Sequence, residues 1–193
     1  ELEAELIYVP QLEVDDLRRG HACHFRCHAE GVEGLRVDVM ARLRKCDEFN
    51  ALWRRRTTVT LPDGMKVEVL GLHDLVQSKK TQRDKDWLML RRLVDNDIFL
   101  YQERPQRGQM RWWLLECRSA ENLIALTRRF RSTARRCMAK RPLLAHALVS
   151  DAAALAAALA AEEQQELDAD RTYWKPLREE LERLRRQRTP RSH

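Results

Sequence analysis

The chain has 193 residues, a mass of 22.8 kDa and a formal net charge of +6, from 36 basic and 30 acidic residues. Hydrophobic residues make up 44% of it, which is too many for a disordered chain, and the length suffices to bury a core. The longest apolar run, Ala152 to Ala161, is too short and too rich in alanine to span a bilayer, and no secretory signal is visible at the start.

Residues 1–70 read mainly as strands. The chain opens on Glu1 and enters the strand-like run Leu6-Ile7-Tyr8-Val9 almost at once, as a chain met partway would. From 21 to 28 the residues alternate, with Cys23, Phe25 and Cys27 on one face and His24, Arg26 and His28 on the other. Leu35 to Met40 alternates again, with Arg36, Asp38 and Met40 sharing a face, and Gly31 and Gly34 bracket the turn between. Residues 46–55 predict a short helix. Thr57 to Leu61 and Met65 to Leu70 flank Pro62-Asp63-Gly64, a turn signal that predicts a second hairpin.

From about residue 72 the apolar period becomes helical. Leu72, Leu75 and Val76 begin a stripe that Trp87, Leu90, Leu93 and Val94 continue. Thr81-Gln82-Arg83-Asp84 fits a capping box, so this stretch reads as two helices with a break near residue 81. Residues 104–109 form a loop and the expected domain boundary. Helices are expected at 111–117 and 120–140, after Pro142, at Ala152–Glu166 and at about 170–187, with Pro176 in the first turn or so of the last. The tail, Thr189 to His193, is expected to fray. With six glycines and six prolines, helix should be prominent. The expected organisation is α+β, a mixed or antiparallel sheet over residues 1–103, then a helical domain over 110–188.

Of the 36 basic residues, 29 are arginine. Arginine forks onto phosphate, so a polyanionic partner fits, but glutamates beside many of these arginines give them local partners too. The five cysteines are odd in number and irregularly spaced, which points to reduced thiols in a cytoplasm.

Lys79, Arg83 and Asp86 would share one face of a continuous helix, in line with its apolar stripe. Charges there either pair with one another or line a cleft. Asp38 sits in mid-strand, where it either pairs with Arg36 or serves as a carboxylate ligand for a divalent metal. His21, Cys23, His24, Cys27 and His28 suggest zinc, but the spacing is poor and no second ligand pair follows, so buried cysteines are the stronger reading. Trp112, Trp113, Tyr173 and Trp174 either stack on bases or, more commonly at helical spacing, fill a core. The final helix could serve a homodimer. No nucleophile elbow, phosphate-binding P-loop or dinucleotide fingerprint is present.

The order of motifs carries a resemblance. Arg36-Val37-Asp38-Val39 is followed by a hairpin ending in Val67-Glu68-Val69-Leu70, then by Leu72-His73-Asp74-Leu75-Val76-Gln77-Ser78-Lys79 and Arg83-Asp84-Lys85-Asp86-Trp87. Over about residues 20–95 this resembles the second half of the small nucleotidyltransferases of the DNA polymerase β type, in the branch found in abortive-infection and toxin–antitoxin systems. The resemblance implies a nucleotidyltransferase-like core that uses Mg2+ and a nucleoside triphosphate such as ATP as substrate. It implies Asp38 as a catalytic, metal-binding carboxylate, with Lys79 facing the triphosphate and Arg83 and Asp86 bracing the lysine or the nucleotide. The acceptor would be an RNA end or a protein hydroxyl. The family's first two carboxylates sit in Asp-x-Asp after a Gly-Ser or Gly-Gly turn, and nothing before Asp38 matches. They are expected ahead of residue 1, or else the protein is a degenerate, non-catalytic module that binds a protein or nucleic acid.

Overall fold

The computed structural model describes residues 2–8, 10 and 12–187. Val9 and the 189–193 tail, part of the expectations above, lie outside them. The fold is α+β: helices dominate and two small antiparallel sheets accompany them. The chain divides into two compact units. One comprises residues up to Ser78 together with those from Arg171 onward; the other is Lys79–Asp170. The 104–109 loop, expected as the domain boundary, lies inside the second unit.

The first unit holds both sheets. Strands β1 (Ala4–Leu6), β2 (Ala22–Cys27) and β3 (Arg36–Met40) form one antiparallel sheet in the order β1-β2-β3. The β2–β3 register sets Cys23 opposite Val39, His24 opposite Asp38 and Phe25 opposite Val37. Alternation then buries Cys23 and Cys27 and leaves the Asp38 face open. Helix α1 (Val14–Arg19), which the sequence did not suggest, precedes β2 and ends on Gly20 at φ +100°. Helix α2 (Phe49–Arg54) leads to the hairpin of β4 (Thr57–Thr60) and β5 (Lys66–Val69). Its turn is made as the sequence implied: Gly64 takes φ +86°, and the Met65 N–H donates to the Asp63 side chain at 2.9 Å. Helix α3 (Leu72–Ser78) follows. Gly71 before it admits no side chain, because a Cβ would collide with the Arg55 carbonyl.

This unit buries little. Its buried apolar side chains, among the described residues, are Pro10, Cys23, Cys27 and Val76. Leu35, Val39, Met40, Phe49, Trp53, Met65 and Val69 are all exposed. Polar pairs do much of the holding. Arg55 donates to both carboxylate oxygens of Asp74, at 3.0 and 2.8 Å, and to Asp47 at 2.9 Å. Those hydrogen bonds, Asp74 first, hold the Arg55 guanidinium firmly charged.

The second unit is helical: α4 (Asp84–Tyr101), α5 (Gln109–Glu116), α6 (Ala120–Arg129), α7 (Arg131–Cys137), α8 (Leu144–Leu148) and the first part of α9 (Ala152–Gln187). The expected 120–140 helix breaks at Phe130, whose backbone leaves the helical region. Its core contains Trp87, Leu90, Val94, Trp113, Leu114, Leu123, Leu144 and Leu155. Trp113 is thus core, and its indole donates to Asp97 at 2.7 Å. No helix among the described residues is long and apolar enough to cross a membrane.

Two helices expected at the C-terminal end are one. Helix α9 continues through Pro176, although proline removes a backbone donor. The Arg178 side chain donates to the Arg171 carbonyl at 2.8 Å, adding a donor to that stretch.

A buried charge network sits inside the second unit. Arg141, 3% exposed, donates to the Leu114 and Cys117 carbonyls and to both oxygens of Glu162. Arg118 reaches the same carboxylate at 3.0 Å. Burial pulls the Arg118 pKa down, and Glu162 works against that. Removing one partner would leave an uncompensated charge inside. Arg141→Ala is therefore expected to cost about 3–5 kcal/mol in urea unfolding. Arg91→Ala, which breaks an exposed pair with Glu163 at 2.6 Å, should cost less than about 1 kcal/mol. Equal small losses would show the network to be dispensable.

Candidate functional site

The residues singled out in the sequence fall in both units, and each group stands on its own geometry. In the first unit, Asp38 projects from the middle of β3 with its side chain 51% exposed. Directly across the ladder, His24 Nδ1 lies 2.6 Å from Asp38 Oδ1. Arg36 comes to 3.9 Å of the same oxygen. The pairing with Arg36 is therefore present but long, and the histidine, which the sequence reading placed only in a doubtful zinc cluster, is the closer partner. Tyr8 packs edge-on against the His24 ring at 5.9 Å. Among the described residues both Asp38 contacts fall on Oδ1, which leaves Oδ2 for an ion or a solvent molecule.

The suggested zinc cluster does not assemble. Cys23 and Cys27 turn into the core, while His24 pairs with Asp38 and His28 lies 3.4 Å from Glu5. Burial, then the negative charge of Asp16, pushes the Cys23 thiol up, opposite to what a thiolate ligand needs.

Beyond Asp38, Met40 on the same face lines an apolar groove of about 220 Å³ with Leu43, Leu52, Val69 and Leu70. Phe49 and Trp53, one turn apart on α2, stack at 5.7 Å along it. The Arg56 guanidinium lies 4.2 Å from the centre of the Trp53 ring and 2.8 Å from Glu68. Ligand pockets usually run to about 300–1,000 Å³. This groove therefore suits a single ring or an apolar side chain better than a whole nucleotide. The sequence reading passed over Phe49, Trp53 and Arg56; two aromatics four residues apart on a helix too short to bury them were the available signal.

In the second unit, Lys79, Arg83 and Asp86 do not share a helical face. Helix α3 stops at Ser78 and α4 starts at Asp84, so the break expected near residue 81 spans 79–83. Lys79 and Asp86 nonetheless meet, with Nζ 3.6 Å from Oδ1. Thr81 Oγ1 donates to Asp86 Oδ2 at 2.7 Å, and the Arg83 backbone N–H donates to Thr81 Oγ1 at 3.2 Å. Trp87 Nε1 donates to the Thr81 carbonyl at 2.7 Å, and the Gln82 N–H donates to Asp170 at 2.9 Å. Asp86 is buried and engaged on both oxygens, so it braces the break. The Arg83 guanidinium is exposed. Neighbouring Lys80, not singled out in the sequence, is buried against Glu116 at 2.7 Å.

No family model matches the chain, and no curated protein or solved structure matches it either.

None of the five cysteines is in a disulfide, and Cys46 alone among them is not fully buried. Burial first, then the charges of Asp74 and Asp47, push its pKa up to about 11, with Arg55 opposing. At pH 8 its thiolate fraction is correspondingly low. Alkylation of native Cys46, followed by mass spectrometry, should run about 100-fold slower than for free cysteine and rise about tenfold per pH unit toward pH 10. Asp47→Asn should speed it. A rate equal to that of free cysteine would discard this account.

Proposed function

We propose that this chain carries the second half of a nucleotidyltransferase-like core, which transfers a nucleoside monophosphate from a triphosphate to an RNA or protein acceptor with Mg2+. The observation that supports it is Asp38: a strand-borne, half-exposed carboxylate whose Oδ2 has no partner among the described residues, held in orientation by His24. After it come a hairpin, a helix and the Lys79–Asp86 pair, the order of elements that the resemblance implies. Mg2+ is bound by one or two carboxylates together with substrate phosphates, and phosphoryl transfer depends chiefly on positioning and charge neutralisation. In this reading Asp38 is a metal ligand, and Lys79 and Arg83 supply positive charge to the triphosphate. Asp86 keeps Lys79 in place. The reduced thiols suit a cytoplasmic setting.

One observation favours a second reading. Among the described residues, no group of three or more metal-ligating side chains includes Asp38. Two-metal chemistry needs more than one carboxylate. A degenerate core would then act as a binding module, with the groove beside Phe49 and Trp53 taking an apolar side chain of a partner protein.

The test is transfer of label from α-labelled triphosphates in Mg2+, on the whole gene product. Asp38→Ala and Asp38→Asn are expected to reduce labelling to background with the fold retained. Equal labelling by wild type and both variants would remove Asp38 from the reaction. Under the second reading neither variant matters, and Trp53→Ala abolishes partner binding.

A further inference from the structure

A second constellation lies in the first unit, apart from Asp38 and independent of the transferase reading. It starts at the end of α1. Gly20 takes the left-handed conformation, and the His21 N–H donates back to the Asp16 carbonyl at 3.1 Å. That closure brings the His21 side chain beside Asp16. Helix α9 supplies the third residue. Leu177 Cδ1 packs over Gly20, 3.5 Å from where a Cβ would stand. Glu180, three residues on and on the same face, then meets the imidazole.

His21 is 2% exposed. Its Nε2 lies 3.0 Å from Glu180 Oε2 and pairs with it, while Nδ1 has no hydrogen-bond partner among the described residues. A buried polar group in that state is uncommon and calls for an explanation. Ligand atoms of Asp16, His21 and Glu180 all lie within 4.8 Å of one another, the only such group of three among the described residues. Arg19 contacts Asp16 and, at 3.1 Å, the other oxygen of Glu180. Oε2 of Glu180 therefore faces the imidazole while Oε1 takes the arginine.

We propose that Asp16, His21 and Glu180 bind a divalent transition-metal ion, with Zn2+ the best chemical fit. An imidazole nitrogen with two carboxylates suits zinc better than Mg2+, which prefers oxygen. Metal bonds of about 2.0–2.2 Å place neighbouring ligand atoms about 3–3.5 Å apart; the His21–Glu180 spacing matches this, and the wider ones, within 4.8 Å, close by about 1–2 Å on binding. Three protein ligands leave a fourth position for water, on the side where Asp16 and Glu180 are part-exposed. The ion would tie α9 to the α1–β2 junction. A unit whose buried apolar side chains are so few gains from such a staple.

The test is titration of the chelator-stripped protein with Zn2+ by calorimetry and with Co2+ by visible spectroscopy. His21 is too buried for a clean deletion, so the variants are Asp16→Asn and Glu180→Gln, each checked by circular dichroism. One ion per chain is expected, with a Co2+ spectrum lacking a thiolate band and a raised Tm in Zn2+. Each variant should weaken binding by at least about 100-fold, since altering even an outer partner of a metal ligand costs about 10- to 100-fold. The proposal is overturned by no binding, by binding that both folded variants retain, or by a thiolate band showing that cysteine holds the ion.

Discussion

A slip of one residue between β2 and β3 would turn Asp38 into the face that holds Cys23 and Cys27. Strand period is two, so the register decides which side chains meet solvent. The observed pairing of His24 with Asp38 keeps the carboxylate out of the core and places an imidazole against one of its oxygens. The same register aligns Met40 with the open face and so gives the apolar groove one of its walls. Everything proposed for Asp38 follows from this ladder. The tight glycine turns at Gly31 and Gly34, both at positive φ, set it.

The two units are stabilised differently. The second is an apolar helical core that also buries charge, in the network of Arg118, Arg141 and Glu162 and in the Lys80–Glu116 pair. Such a network contributes specificity more readily than net stability, because two guanidiniums are desolvated to make it. The first unit has the opposite character. Its strands expose apolar side chains, and contacts such as Arg55 with Asp74 and Asp47, or Arg56 with Glu68, occupy positions where a larger domain would place leucines. Such partly exposed pairs bring modest energies, so this unit is expected to open before the other.

Local patterns were legible in the sequence. The alternation along β2 and β3, the Pro62-Asp63-Gly64 turn, the short helix within 46–55 and the stripe from Trp87 to Val94 all rest on near neighbours, and each appears in the fold. Helix α1 was not legible, because Val14 and Leu17 are too few apolar positions to display a period. The unity of α9 was hidden by Pro176, which ordinarily marks a boundary. The candidate sites divide in the same way. Asp38 and its face could be read from alternation, and Lys79 with Asp86 from spacing, although the helix break changed how those two meet. His24 as the partner of Asp38, Thr81 as the brace of Asp86 and the approach of Glu180 to His21 all depend on tertiary closure, which spacing does not encode.

The first unit is built from both ends of the chain, with the whole of the second unit inserted between Ser78 and Arg171. On a ribosome, the strands emerge before the second unit and lack the segment of α9 that carries Leu177 and Glu180 until that unit has been made. The inserted helical unit has all its residues available earlier. The first unit, begun before the second, is thus completed after it.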